Sequence, residues 1–150
     1  MHKIAEMLYK NRLLNSIEEF ETFETTLAQV DLSNPALVYD LCLVFDDETE
    51  CPEVMYGLIH CIEAFEWKDA LKHVMLATPR MMENAAEWAD TVHYRILNHD
   101  QSLIWYKEYL HTFEPNQKQP LIQLLQSISR GEPDRFKDKV DEIIGTYYKI

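Results

Sequence analysis

Apolar residues recur at three- and four-residue spacing along almost the whole of this 150-residue chain, and that periodicity leaves little room for anything but helices. Ile4, Met7 and Leu8 begin it. Ser16 and Glu19 have capping-box spacing, at which a Ser and a Glu can satisfy each other's orphan amides, and they open a helix with Phe20, Phe23, Leu27 and Val30 on one face. Ser33-Asn34-Pro35 starts the next, carrying Leu37, Leu41 and Val44. The string 45–51, FDDETEC, breaks the pattern and reads as an exposed loop. Pro52 then opens a helix with Val54, Met55, Leu58, Ile59, Ile62 and Phe65 inward. Trp67 to Thr78 reads as a short helix ended by Pro79, and Met81 to Leu97 as the next. Asn98-His99-Asp100 is a break and a new cap, before a helix carrying Leu103, Tyr106 and Leu110. Pro115 to Ser129 reads as the next helix, with Pro120 offering a start several residues later as the alternative. Gly131-Glu132-Pro133 separates it from the last, striped by Phe136, Val140, Ile143 and Ile144.

The expected fold class is therefore all-α, with about nine short helices in a single domain over 1–150. Helix hairpins recurring every ~30–37 residues fit an irregular HEAT-like stack of αα-hairpins, with a compact helical bundle as the alternative. Only 3 Gly and 6 Pro argue against a turn-rich β sandwich, and 47% hydrophobic residues against disorder. No apolar run approaches a membrane span, and the N-terminal stretch lacks a signal-peptide pattern. Cys42, Cys51 and Cys61 are odd in number and form no C-x-x-C, so they read as reduced thiols of a cytoplasmic protein.

The net charge is −12, and its placement says more than its size. No Lys or Arg occurs from Leu13 to Trp67, a stretch holding 13 acids. Residues 1–67 carry 14 acids and 3 bases, and residues 68–150 carry 12 and 11. Nucleic acids and anionic membranes are bound through Lys and Arg, so both are disfavoured as partners. A basic protein is favoured.

No catalytic constellation emerges. The glycines are isolated, and neither a nucleophile elbow nor H-E-x-x-H is present. Asp90-x-x-His93 and Glu108-x-x-His111 have chelating spacing, but on consecutive helices, unlike the alternation of a di-iron bundle. His60 and Cys61 are adjacent and so face different directions on a helix, which prevents one from activating the other. The expectation is no enzyme, no metal and no cofactor, with a helical metalloenzyme as the least favoured alternative.

The strongest local feature is the run Asp46, Asp47, Glu48, Glu50 and Glu53. It lacks the alternation and central glycine of a calcium loop. The following helix turns Glu53, Tyr56, Gly57, His60 and Glu63 to one side. Loop and helix face are expected to form one acidic surface, and the five carboxylates of the run, read as unpaired, repel one another until a basic partner relieves them. The acidic helix Glu18-Glu19-Phe20-Glu21-Thr22-Phe23-Glu24 would extend this surface if it packs alongside.

The stretch 41–65, LCLVFDDETECPEVMYGLIHCIEAF, together with Glu87-Trp88-Ala89 and 93–98, HYRILN, resembles the bacterial immunity protein 30 family. Asn11-Arg12 and the segment Asp134 to Val140 extend the likeness through most of the chain. The resemblance implies a small helical cytoplasmic protein of polymorphic toxin systems, which binds a cognate toxin domain and neutralises it without catalysis. The residues expected at such a contact are Asp46, Asp47, Glu48, Glu50, Glu53, Tyr56, His60 and Glu63. Tyr94 and Arg95 join them with a structural role as the competing reading, and Trp88 is expected in the core. A basic nuclease-type toxin complements such a surface. A helical-repeat adaptor for another basic protein or peptide is the alternative function.

Overall fold

The computed structural model describes residues 1–148, and every regular element among them is an α-helix. In chain order these are α1 (Lys3–Lys10), α2 (Ile17–Leu27), α3 (Leu37–Cys42), α4 (Pro52–Glu63), α5 (Trp67–Leu97), α6 (Asp100–Thr112), α7 (Pro115–Gly131) and α8 (Pro133–Tyr148). The all-α expectation holds, with eight helices where about nine were expected.

Side chains supply the orphan amides at most helix starts, as the sequence signals imply. His2 Nδ1 accepts from the Ile4 amide at 3.1 Å to begin α1. Ser16 Oγ accepts from the Glu19 amide at 3.1 Å to begin α2. Glu19 does not return the bond to Ser16; its Oε1 takes the Asn15 amide, one residue further out, at 2.9 Å. His99, rather than its neighbours, caps α6 through Nδ1 and the Ser102 amide. Gln117 Oε1 takes the Glu114 amide at 2.9 Å, which places the start of α7 at Pro115 with Pro120 inside the helix.

The missing ninth helix is a boundary that moves. Pro79 does not end α5. The ring removes the amide that would donate to the Met75 carbonyl, and the hydroxyl of Thr78 donates to the Val74 carbonyl at 2.7 Å one position before, yet the helix runs on through the proline. The interruption falls instead at Ala85, with φ −144° and ψ 47°.

The chain divides into two compact units, Met1–Trp88 and Ala89–Ile150. Within the first, α1 packs on α2, and both α2 and α3 pack on α4. Gly57 faces α2 there: a Cβ built on it would stand 3.4 Å from Leu27 Cδ2, an ordinary van der Waals contact. Leu8, Phe23, Leu41, Met55, Leu58 and Leu71 are wholly buried, each contributing about 1.5–3 kcal/mol relative to exposure. Within the second, α8 packs on α6 and α7 around Tyr106, Leu110, Leu125 and Phe136. The charge divides with the units. Residues 1–88 carry 17 acids and 6 bases, and residues 89–150 carry 9 and 8.

Candidate functional site

Between α3 and α4 the chain runs through residues 43–51 without regular structure, as the broken periodicity predicts. Its exposure differs from expectation. Asp46 is only 6% exposed, and neither Asp46 nor Asp47 is an unpaired surface carboxylate.

Asp46 is held by Arg12. The guanidinium Nε donates to Asp46 Oδ2 at 3.0 Å while Nη1 donates to the Tyr9 carbonyl at 2.9 Å. The guanidinium also lies 3.8 Å from the centre of the Tyr9 ring, a cation–π contact that limits its freedom. The other oxygen of Asp46 accepts from the Glu48 amide at 2.8 Å, an Asx turn that bends the loop. Two residues on, the Glu50 amide donates to the Leu13 carbonyl at 2.9 Å, tying the loop to the α1–α2 connection. In that connection Leu14 takes φ 54°, unusual for a bulky residue, with its side chain buried.

Asp47 is held by the interruption in α5. Its amide donates to the Asn84 carbonyl at 3.0 Å. Its carboxylate accepts from the Glu87 amide at 3.1 Å and the Trp88 amide at 3.3 Å. The indole N–H of Trp88 donates to the Asp46 carbonyl at 3.2 Å. The two aspartates therefore serve the fold, because both point into elements with amide or guanidinium donors to satisfy. The signal that could have found this was Arg12, the last base before the long acidic stretch.

The carboxylates left outward are Glu48, Glu50 and Glu53, all exposed. Glu53 receives the Cys51 thiol at 3.5 Å. Along the same face of α4, Tyr56 is half-buried, His60 exposed and Glu63 half-buried. The Tyr56 ring meets His60 edge-on at 5.3 Å and Trp88 at 6.2 Å, and Trp88 lies 5.5 Å from Phe45. A row of aromatic rings thus runs from the core to His60 at the surface. Since α2 packs on α4, the exposed Glu18, Glu21 and Glu24 belong to the neighbouring helix.

Tyr94 and Arg95 belong to the second unit. The Tyr94 ring stacks on buried Phe136 at 5.3 Å and 7°. Its hydroxyl pKa is raised, first by desolvation and then by Asp90 and Glu132. Arg95 is half-buried and engaged with other groups.

The chelating pairs read from the sequence do not meet. His93 is wholly buried, with Nδ1 3.0 Å from the Ala89 carbonyl and Nε2 3.0 Å from the Tyr106 hydroxyl. Both ring nitrogens are used, so neither is offered to a metal. Among the described residues no group of three or more His, Cys, Asp or Glu is placed to hold a metal ion. Burial pushes the Cys61 thiol up to about 11 and keeps it protonated at neutral pH, which opposes a nucleophile role. No helix among the described residues is long and apolar enough to cross a membrane.

The family model described as immunity protein 30 matches residues 10–106, well over half of the chain. The match takes in Arg12, the loop, α4 and α5, and stops short of the segment Asp134 to Val140. No curated protein matches the chain, and no solved structure does.

Proposed function

The chain belongs to the immunity protein 30 family, and from that premise we propose that it binds a cognate bacterial toxin domain through the acidic surface of its first unit and thereby neutralises it. The observation that carries this reading is the separation of charges within residues 1–88. Arg12 is committed to Asp46, no further base follows until Lys68, and Glu48, Glu50 and Glu53 stand outward. Carboxylates placed this way gain most from a cationic partner, and a toxin that cuts nucleic acid needs a cationic cleft. The field they create also steers encounter, and an inhibitor of a lethal enzyme requires fast capture. Tyr56 and His60 supply the aromatic contact that such interfaces concentrate at their centre, and Glu63 continues the face. Asp46 and Asp47 support this surface from beneath. Tyr94 and Arg95 are a second candidate contact.

The reading requires no catalysis, metal or cofactor and places the protein in the cytoplasm beside its toxin. A helical adaptor for some other basic protein would use the same surface. Co-expression with the toxin encoded next to this gene separates the two. Survival of the cells and a stable complex support immunity, whereas death with no complex defeats it.

A further inference from the structure

The segment around the interruption in α5 reads Met81-Met82-Glu83-Asn84-Ala85-Ala86-Glu87-Trp88 and contains neither Gly nor Pro. Ala, Met and Glu are strong helix formers, so local preference favours an unbroken helix there. The helix nevertheless breaks at Ala85. In a continuous helix the Trp88 amide would donate to the Asn84 carbonyl. Here both groups turn to one residue: the Asn84 carbonyl accepts from the Asp47 amide at 3.0 Å, and the Trp88 amide donates to the Asp47 carboxylate at 3.3 Å. Asp47 has entered the helical ladder, a recognised cause of kinks. It takes the Glu87 and Trp88 amides as an N-cap residue would, but from a distant loop, because Ala85 has no side chain with which to cap itself.

We propose that Asp47 is a positioning residue that sets the break in α5 and, through it, the place of Trp88. Released from the ladder, Trp88 donates its indole N–H to the Asp46 carbonyl and lays its ring against Phe45 and Tyr56. Tyr56 in turn meets His60. On the reading that this face receives the toxin, on which only the consequence for binding rests, Asp47 shapes the contact without touching the partner.

The test uses Asp47→Ala, Asp47→Asn and the double variant Asp47→Ala with Ala86→Pro. Ala86 is exposed and is the first residue after the break, where Pro is tolerated and where it prevents a continuous helix. Hydrogen exchange of the Glu87 and Trp88 amides and tryptophan emission are read on the isolated protein. Asp47→Ala is expected to change protection of both amides by at least roughly ten-fold and to shift the emission, with Asn intermediate because it keeps one acceptor. Ala86→Pro is expected to return the emission towards wild type. Should Asp47→Ala fail to fold, the Asn variant and the double variant carry the test. Unchanged protection and emission in Asp47→Asn and Asp47→Ala would overturn the proposal. Where Asp47→Ala does not fold, so would unchanged protection of the two amides in Asp47→Asn and in the double variant. Where Asp47→Ala folds with a shifted emission, an added Ala86→Pro that returns none of it would also overturn the proposal. Toxin affinity is measured separately. If emission responds and recovers while affinity stays constant throughout, the reading of the face fails and the assignment of Asp47 stands.

Discussion

Arg12 Nε donates to Asp46 Oδ2 at 3.0 Å, so the last base before the long acidic stretch neutralises its most buried carboxylate. The pair joins the end of α1 to the loop before α4, and it leaves the outer carboxylates without that cation. Charge separation at the surface is thus a by-product of how the loop is anchored.

Removing either partner should be costly, since the other is left part-buried and uncompensated. Arg12→Ala is expected to lower unfolding free energy by about 2–3 kcal/mol, read as a drop in urea midpoint. Asp46→Asn should cost less than Asp46→Ala, because the amide oxygen still accepts from the Glu48 amide. A double-mutant cycle should give a coupling above about 0.5 kcal/mol; strict additivity would mean the pair is not formed.

Charge reversal should separate the two classes of acid in the loop. Glu48→Lys, Glu50→Lys and Glu53→Lys together should keep the helical circular dichroism, since all three are exposed. Protection against the toxin should disappear, with the association rate falling more than the dissociation rate rises. For the wild type that rate should fall as salt brings the screening length to ~8 Å. Asp46→Lys with Asp47→Lys should instead lower the melting temperature before any binding is measured. An exposed triple variant that protects fully with unchanged salt dependence would make the acidic surface a solubility feature.

Acid should weaken the second unit through His93. Burial lowers its pKa from 6.5 to about 4, and the bond to the Ala89 carbonyl opposes this only in part. The unfolded chain therefore binds the proton more readily than the folded one. Stability from this group is complete above pH 6.5 and is lost as pH falls towards 4, by roughly 3 kcal/mol in all. Carboxylates add their own acid dependence, so the informative quantity is the difference between wild type and His93→Gln. That difference should change across pH 4–6.5, and a flat one would refute the assignment.

Thiol reactivity should be graded. All three cysteines are free, so titration of unfolded, unreduced protein should count three. In the native protein Cys42 should react last, since it is buried and its pKa is pushed up to about 12. Cys61, raised to about 11, should be slow, leaving half-buried Cys51 at the start of α4 as the fastest. Fast labelling of Cys42 in folded protein would contradict the packing around α3.

The helices were legible because their signals are local. Spacing of apolar residues, Ser16 before α2, Pro52 at the start of α4 and Gly131-Glu132-Pro133 between α7 and α8 act within a turn or two of the chain. The same signals misplaced the break in α5. Pro79 is the local breaker, yet the chain runs through it and stops at Ala85, where a residue 38 positions earlier supplies the competing hydrogen bonds.

The acidic loop shows the same division at the site. By itself the sequence determined the all-α class, the loop between Cys42 and Pro52, the α4 face of Glu53, Tyr56, His60 and Glu63, and the one-sided charge. Only the tertiary structure decided that Asp46 and Asp47 turn inward while Glu48 and Glu50 stay out. Five neighbouring acids look alike in sequence. What separates them is the Arg12 guanidinium and the amides freed at Ala85, which the fold brings within hydrogen-bonding distance of two and not of the others.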